Sequence, residues 1–519
     1  MGDNKNDMTK TSTFKYLLSP KNRLLLLLLF LSGFLSAQPV HFLNTFGGAS
    51  QDIAQSAIQT FDKQYVCVGA TSSYGAGSSD IWIVKTWSNG FPRWNHCIGG
   101  TGVDWGYSVK ETPADSGLII AGYTDSYGAG GYDCYLIKTD SLGNVLWSKT
   151  YGGSGWDFAY SVANTSDGGY ILAGGTYSYG AGDEDVYVVK TNSTGDTLWT
   201  RHFGGRKQDE ARSVKQTADG GYILAGMTKS FNDTVNGDAY VIRLNPSGDT
   251  LWTRASGGRW TEDAHDVIEA SDKSIFLIGA TDSFSTPPGK DMDIYMAKFR
   301  PDGSLLNIGH LGGPAYDRGE AIVETSPLNF TIVGSTKSYG FGAGYQNVVV
   351  YFMSQYCNWA GGGHTYGDTI HASDAVAMSL CNTADKGYLV SGYTTGFSAN
   401  GIPDFLLIKL DSVPAYVPVI SGISTGGANA LSIRGIYPNP ANEETSIQFS
   451  SETGKKDVKF RISDLRGRDL TAYCQIDLYE RTEGIGFRLH FNRELMSPGM
   501  YFVEMTNSGG TATAKIMLR

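Results

Sequence analysis

The stretch GGGHTYGDTIHASD at residues 361–374 brings together two imidazoles and two carboxylates, His364, Asp368, His371 and Asp374. Neutral imidazole nitrogens and carboxylate oxygens are the donors that divalent cations take. Asp368 and Asp374 are therefore the candidate metal ligands, and His364 and His371 the candidate ligand contacts. The spacing H-x3-D-x2-H-x2-D reproduces no established zinc or calcium pattern, so solvated loop residues are the plainer reading. No HExxH or phosphate-binding loop occurs, and no catalytic residue is assigned.

A second series is aromatic. SYGAG stands at 73–77, 126–130 and 178–182, with SYGFGAG at 338–344, and the aromatic persists as Tyr74, Tyr127, Tyr179, Phe231, Phe284, Tyr339 and Phe397. Glycine gives the tight reversal its positive φ, and a tyrosine can cover an apolar edge while its hydroxyl stays wet. A structural role accounts for all seven. A glycan-stacking platform built on Tyr74, Tyr127, Tyr179 and Tyr339 is the sharper alternative.

Acids form two further series. One runs Asp52, Asp104, Asp157, Asp209, Glu262 and Asp317, with Asp374 near the equivalent place; the other runs Asp80, Asp133, Asp185, Asp238, Asp293 and Asp404, with Asn347 replacing it once. Carboxylates at loop ends most often cap backbone N–H groups of their own turn. No cofactor is expected, and calcium is the ion a mouth lined by such acids would take.

These series recur because the chain repeats. Diglycines at 47–48, 99–100, 152–153, 204–205, 257–258, 312–313 and about 361–363 give first-glycine steps of 52, 53, 52, 53, 55 and 49 residues. Each period holds four short runs rich in Val, Ile, Leu and Tyr, bounded by Gly, Asp and Asn, which predicts four strands, a to d. Radially repeated four-stranded sheets are propeller blades. The segment HFLNTFGG (41–48) is a strand d with nothing before it, whereas DFLLIKLDSVP (404–414) is a strand c with no strand d after it. The expectation is an all-β, seven-bladed propeller closed by its N-terminal strand, with no free sheet edge. The b–c loops (SYGAG) and d–a loops (diglycine) then share one face. The c–d hairpin with its tryptophan, as in TNSTGDTLW (191–199), resembles that of quinoprotein propellers and, more loosely, the Asp-box turn of sialidases. The tryptophan reads as a wedge between blades.

Export is written at both ends. Lys21 and Arg23 precede LLLLLLFLSGFL (24–35) and Ser36-Ala37-Gln38, the layout of a secretory signal over 1–37 cleaved before Gln38. The apolar block is shorter than a membrane span, so no transmembrane segment is expected in the mature chain. Residues 38–414 then form the propeller and 415–435, poor in charge, a linker. From 436 the order Pro438-Asn439-Pro440, Gly467-Arg468, Pro498-Gly499, Tyr501 and Lys515 closely resembles the type A C-terminal sorting domain of the type IX secretion system. The resemblance implies passage across the outer membrane of a Gram-negative bacterium by that machinery, then release or attachment at the cell surface. The alternating strands of this tail predict a small β-sandwich.

The formal charge of −10 excludes a nucleic-acid partner, which needs a basic footprint. Six cysteines without a CxxC predict few or no disulfides, with Cys357 and Cys381 the nearest to a pair. The functional expectation is a module that binds an extracellular glycan or protein through the mouth face. The alternatives are a glycan hydrolase or lyase at the mouth and a display scaffold.

Overall fold

A computed structural model describes residues 42–518 apart from 232–235, 286–290, 340–343, 358–363, 368–372, 397–400, 411–422, 425–431, 438–443, 451–458, 465–467, 482–483, 493–495, 497–498 and 508–509. The signal segment, Phe397, Asp368, His371, Pro438, Asn439, Pro440, Gly467 and Pro498 lie outside the described residues.

Seven four-stranded antiparallel sheets follow the repeat. In blade three strand a is Asp157–Asn164, b Tyr170–Thr176, c Asp185–Thr191 and d Thr197–Phe203. Strands b and c are buried along their whole length, whereas strand d is mostly exposed. That gradient explains the sequence: strands covered on both faces read as unbroken apolar runs. Strand a of each blade packs on strand a of the next, all the way round, so these strands form the inner wall.

The ring closes as the termini of the repeat require. Phe42–Phe46 pairs antiparallel with Asp404–Leu410, with Phe42 opposite Lys409, and becomes strand d of blade seven. Every seam also carries a backbone hydrogen bond. The N–H that opens strand a donates to the carbonyl just before strand c of the preceding blade: Asp104 to Ser79, Asp157 to Tyr132, Asp209 to Glu184, Glu262 to Gly237, Asp317 to Met292, Ala375 to Gln346 and, across the closure, Asp52 to Pro403 at 2.8 Å.

The strand-d aromatic acts as the expected wedge. Trp94, Trp147, Trp199 and Trp252 lie over Gly143, Gly195, Gly248 and Gly303, the positive-φ glycines of the next blade's c–d hairpin, and Phe42 covers Gly90 in the same way. A Cβ at Gly143 would fall 2.7 Å from the Trp94 ring, so this glycine answers to both φ and space. At the opposite end of six of the seven blades a buried cation reaches an acid of the a–b turn, as in Lys190–Asp167 at 2.8 Å and Lys409–Asp385 at 2.8 Å. Blade six has Phe352 where the cation would stand and no acid between Ser326 and Asn329, so the two partners are lost together. This covariation within one chain fits the cost of leaving a buried charge alone.

The tail forms two further four-stranded antiparallel sheets, one from Ile423–Ser424, Gly510–Leu518, Gly499–Asn507 and Lys459–Asp464, the other from Ser432–Tyr437, Glu444–Ser450, Gly484–Phe491 and Cys474–Arg481. Tyr501, Val503 and Met505 are buried on one face of Gly499–Asn507; Lys515 lies on the paired strand, opposite Phe502. All six cysteines are free thiols. No helix among the described residues is long and apolar enough to cross a membrane.

Candidate functional site

The repeated aromatics and acids of the mouth face are committed to their own turns. The hydroxyls of Tyr74, Tyr127, Tyr179 and Tyr339 donate to the carbonyls of Gly47, Gly99, Gly152 and Gly312 at 2.7–3.0 Å. The rings of Tyr74, Tyr127 and Tyr179 lean on Trp82, Tyr135 and Tyr187, the strand-c aromatics of the same blades. The acid opening strand a caps the second glycine: Asp157 accepts from the Gly153 N–H at 2.8 Å and from the Ser178 hydroxyl at 2.6 Å. The acid opening strand c caps the b–c loop, as Asp185 does for the Ala181 N–H at 2.6 Å.

These acids meet across the seams. A Cβ on Gly47 would fall 1.9 Å from Asp404 Oδ1 and 3.0 Å from Asp52 Oδ2, so the first glycine is the space between two carboxylates. The same pairing joins Asp80 to Asp104, Asp133 to Asp157, Asp185 to Asp209, Asp238 to Glu262 and Asp293 to Asp317, each across its own glycine. Burial, with Asp317 and Asp52 adding repulsion, pushes Asp293 and Asp404 up to about 6.

The seventh seam corrects the reading of the His/Asp cluster. His364 belongs to strand d of blade six, His364–Tyr366, where it pairs with Val350, and not to a loop of blade seven. The glycine equivalent to the first of each diglycine is Gly367, whose Cβ would meet Asn347 Oδ1, giving a regular step of 55 residues from Gly312. Three consecutive glycines at 361–363 imitate the turn signal, and the shortened strand hides the true one. Ala375, opposite Thr394, therefore occupies the ring-acid position, and Asp374 precedes it, accepting from the Gln346 N–H at 2.7 Å. This seam carries Asn347 and Ala375 in place of two acids. His364 Nδ1 finds no partner among the described residues, and burial pulls the ring's pKa down. Among the described residues no group of three His, Cys, Asp or Glu side chains is placed to hold a metal.

The departures from the repeat lie on the inner wall. In all seven blades strand a carries a β-bulge at the same place, between Ala54 and Ser56, Gly106 and Ser108, Ala159 and Ser161, Ala211 and Ser213, Ala264 and Asp266, Gly319 and Ala321, and Ala377 and Ser379. The extra residue is Gln55, Tyr107, Tyr160, Arg212, His265, Glu320 or Met378. Bulges re-aim a side chain, and here the re-aimed one differs in every blade except two and three. Tyr107 and Tyr160 meet edge to face at 5.0 Å, and the charges of Arg212 and Glu210, two blades away, bear on the Tyr107 hydroxyl, so these residues share one axial space.

The wall has two arcs. Blades two and three supply Trp105, Tyr107, Phe158 and Tyr160, continued towards the mouth by Tyr123, Tyr132, Trp156 and Tyr177 in unbroken ring contact. Blades four to six supply charges: Arg212 reaches Glu210 at 2.6 Å and Asp263 at 3.4 Å, His265 lies 3.0 Å from Asp263, and Arg318 holds Glu320 at 2.8 Å. Burial works against ionisation of Asp263, but Arg212 and His265 outweigh it and hold the carboxyl well below its usual range.

At the junction of the arcs sits Glu184, 3% exposed, in the residue before strand c of blade three. Its Oε2 accepts from the Tyr177 hydroxyl at 3.2 Å and from Gln208 Nε2 at 3.1 Å. Oε1 is buried without a partner among the described residues, over Gly175, where a Cβ would fall 1.9 Å from it. Burial first, then the neighbouring Glu210 carboxylate, pushes Glu184 up to about 7. A buried carboxyl raised to this range can give or take a proton near neutral pH. The sequence signal for this wall is the residue three after the ring acid, which varies while its surroundings repeat.

Residues 435–519 match the secretion system C-terminal sorting domain family. The chain is a seven-bladed propeller carrying a type IX sorting domain, which makes it a secreted or cell-surface protein. Among curated proteins it is similar to the regulatory protein FlaEY of Caulobacter vibrioides, 26% identical over 182 residues, 30% of this chain and 19% of that protein. The chain thus spans about a fifth of that relative's length. Among solved structures it is similar to Sqt1 from Chaetomium thermophilum (12% identity, 78% of this chain and 97% of that one, TM-score 0.40) and to a puromycin hydrolase (13%, 80% and 62%, 0.41). Likenesses of this size carry no functional argument.

Proposed function

We propose that the propeller, over residues 38–414, is a binding module that takes a glycan at the channel mouth, and that the linker 415–435 and the sorting domain deliver it to the outside of the cell. The observation that carries this reading is the aromatic arc ending in rings open to solvent, Trp156 at 54% and Tyr177 at 47% exposure, beside a wall of hydrogen-bonding charges. Flat rings bury the C–H faces of a pyranose while polar groups fix its hydroxyls. The repeated tyrosines do not carry it, because their hydroxyls are already used within each blade.

A second reading, a glycan hydrolase, is favoured by two neighbouring carboxyls in one recess, Glu184 and Glu210, of which Glu184 is raised to about 7. Full-length protein passed over a panel of immobilised polysaccharides separates the two, with retention and released sugar scored together. Retention without release that weakens at least roughly tenfold on Trp156→Ala supports the module. Released sugar that disappears on Glu184→Gln supports the hydrolase. Retention that ignores Trp156 overturns the site.

A further inference from the structure

The cations around Glu184 are already committed to other acids. Arg212 is divided between Glu210 and Asp263, His265 also serves Asp263, and Arg318 holds Glu320, so among the described residues no cation pairs with Glu184. Among the described residues no donor reaches the buried Glu184 Oε1, which has room because residue 175 is glycine. An unpaired carboxyl oxygen this deep is costly unless a donor reaches it. Aromatic rings border the same recess: the Tyr177 hydroxyl touches Glu184, and Trp156 stands 6.1 Å from Tyr177. Carboxylates beside aromatic faces form the environment that stabilises an organic ammonium, through ion pairing on one side and the ring quadrupole on the other.

We infer that the glycan bound at the mouth is an amino-sugar polymer with unacetylated amines, one ammonium seating on Glu184 while its pyranose stacks on Trp156. The inference rests on the glycan reading above and narrows it. Burial first, then Glu210, raises Glu184 to about 7, so at about pH 6 the free protein largely holds a proton there. An arriving ammonium keeps its own protons and displaces that one to solvent, so the charge in the recess changes by the ligand's +1 and the lost proton's −1. A neutral N-acetyl sugar displaces none.

The test is calorimetry of the full chain with a glucosamine hexamer and with its N-acetylated counterpart, at about pH 6, where both Glu184 and the amines are largely protonated. Each titration is run in two buffers of different ionisation heat. The expected result is binding at least roughly tenfold tighter for the free amine, with release of close to one proton, both lost in Glu184→Gln while the weak binding of the acetylated sugar remains. The variant Trp156→Ala, at an exposed ring, should weaken both sugars together. Equal binding of the two hexamers without proton release overturns the amine inference and leaves the glycan reading standing. Binding of neither hexamer, with hexalysine bound in a Glu184-dependent manner, overturns the glycan source in favour of a protein side chain. No binding of any of the three defeats the site altogether.

Discussion

The two arcs of the inner wall are built on one backbone. Blades two and three place Tyr107 and Tyr160 on the bulge of strand a; blades four to six place Arg212, His265 and Glu320 on the same bulge. The aromatic arc is held by ring packing, which is insensitive to pH and forgiving of one lost contact. The charged arc is held by mutual neutralisation, in which each member exposes the others when removed. One fold therefore carries a tolerant half and a brittle half, and Glu184 sits where they meet.

The sharpest way to break this comparison is to treat both arcs alike. Arg212→Met should destabilise the protein by about 2–4 kcal/mol, since Glu210 and Asp263 lose their shared partner; Tyr160→Leu should cost only about 1 kcal/mol. Chemical denaturation of the two variants measures the gap, and equal losses would erase the distinction between the arcs.

A pH profile sharpens it next. Glu184, raised to about 7, and Asp293 and Asp404, raised to about 6, have folded-state values above their ordinary ones. Their contribution is therefore fully present below the ordinary carboxylate range and is lost as pH rises through 6 to 7. Stability should fall over that window, and Glu184→Gln should remove roughly 2 kcal/mol of the fall. A melting series across pH reads this directly; an unchanged slope in the variant would mean that Glu184 is already ionised. The smallest effect belongs to the repeated loop. Tyr127→Phe forfeits one partly exposed hydrogen bond to Gly99, about 0.5–1 kcal/mol, and leaves glycan retention intact.

The architecture was legible because turns and strands speak a local language. Glycine pairs mark the d–a reversals, apolar runs mark the doubly covered strands b and c, and the stray strands at 42–46 and 404–410 announce the closure. The site was less legible. A bulge adds one residue without disturbing the apolar alternation around it, so nothing in the pattern shows that Tyr160 or Arg212 is turned to the axis. Glu184 becomes notable only beside Gly175 and Gln208, which the fold, not the sequence order, brings to it. At 361–374 a run of glycines stood where the turn signal was expected and pulled the register away from Gly367.

The closure also orders events in time. Strand d of blade seven is the first piece of the ring to be synthesised, and its partner, Asp404–Leu410, is the last. Until that partner exists the ring has two raw edges and a contact of very high sequence separation to form, which is slow by the entropy of loop closure. The sorting domain at 435–519 lies beyond that last strand. Any chain long enough to bear the export address therefore already contains every strand needed to shut the ring, and one truncated before closure carries no address at all.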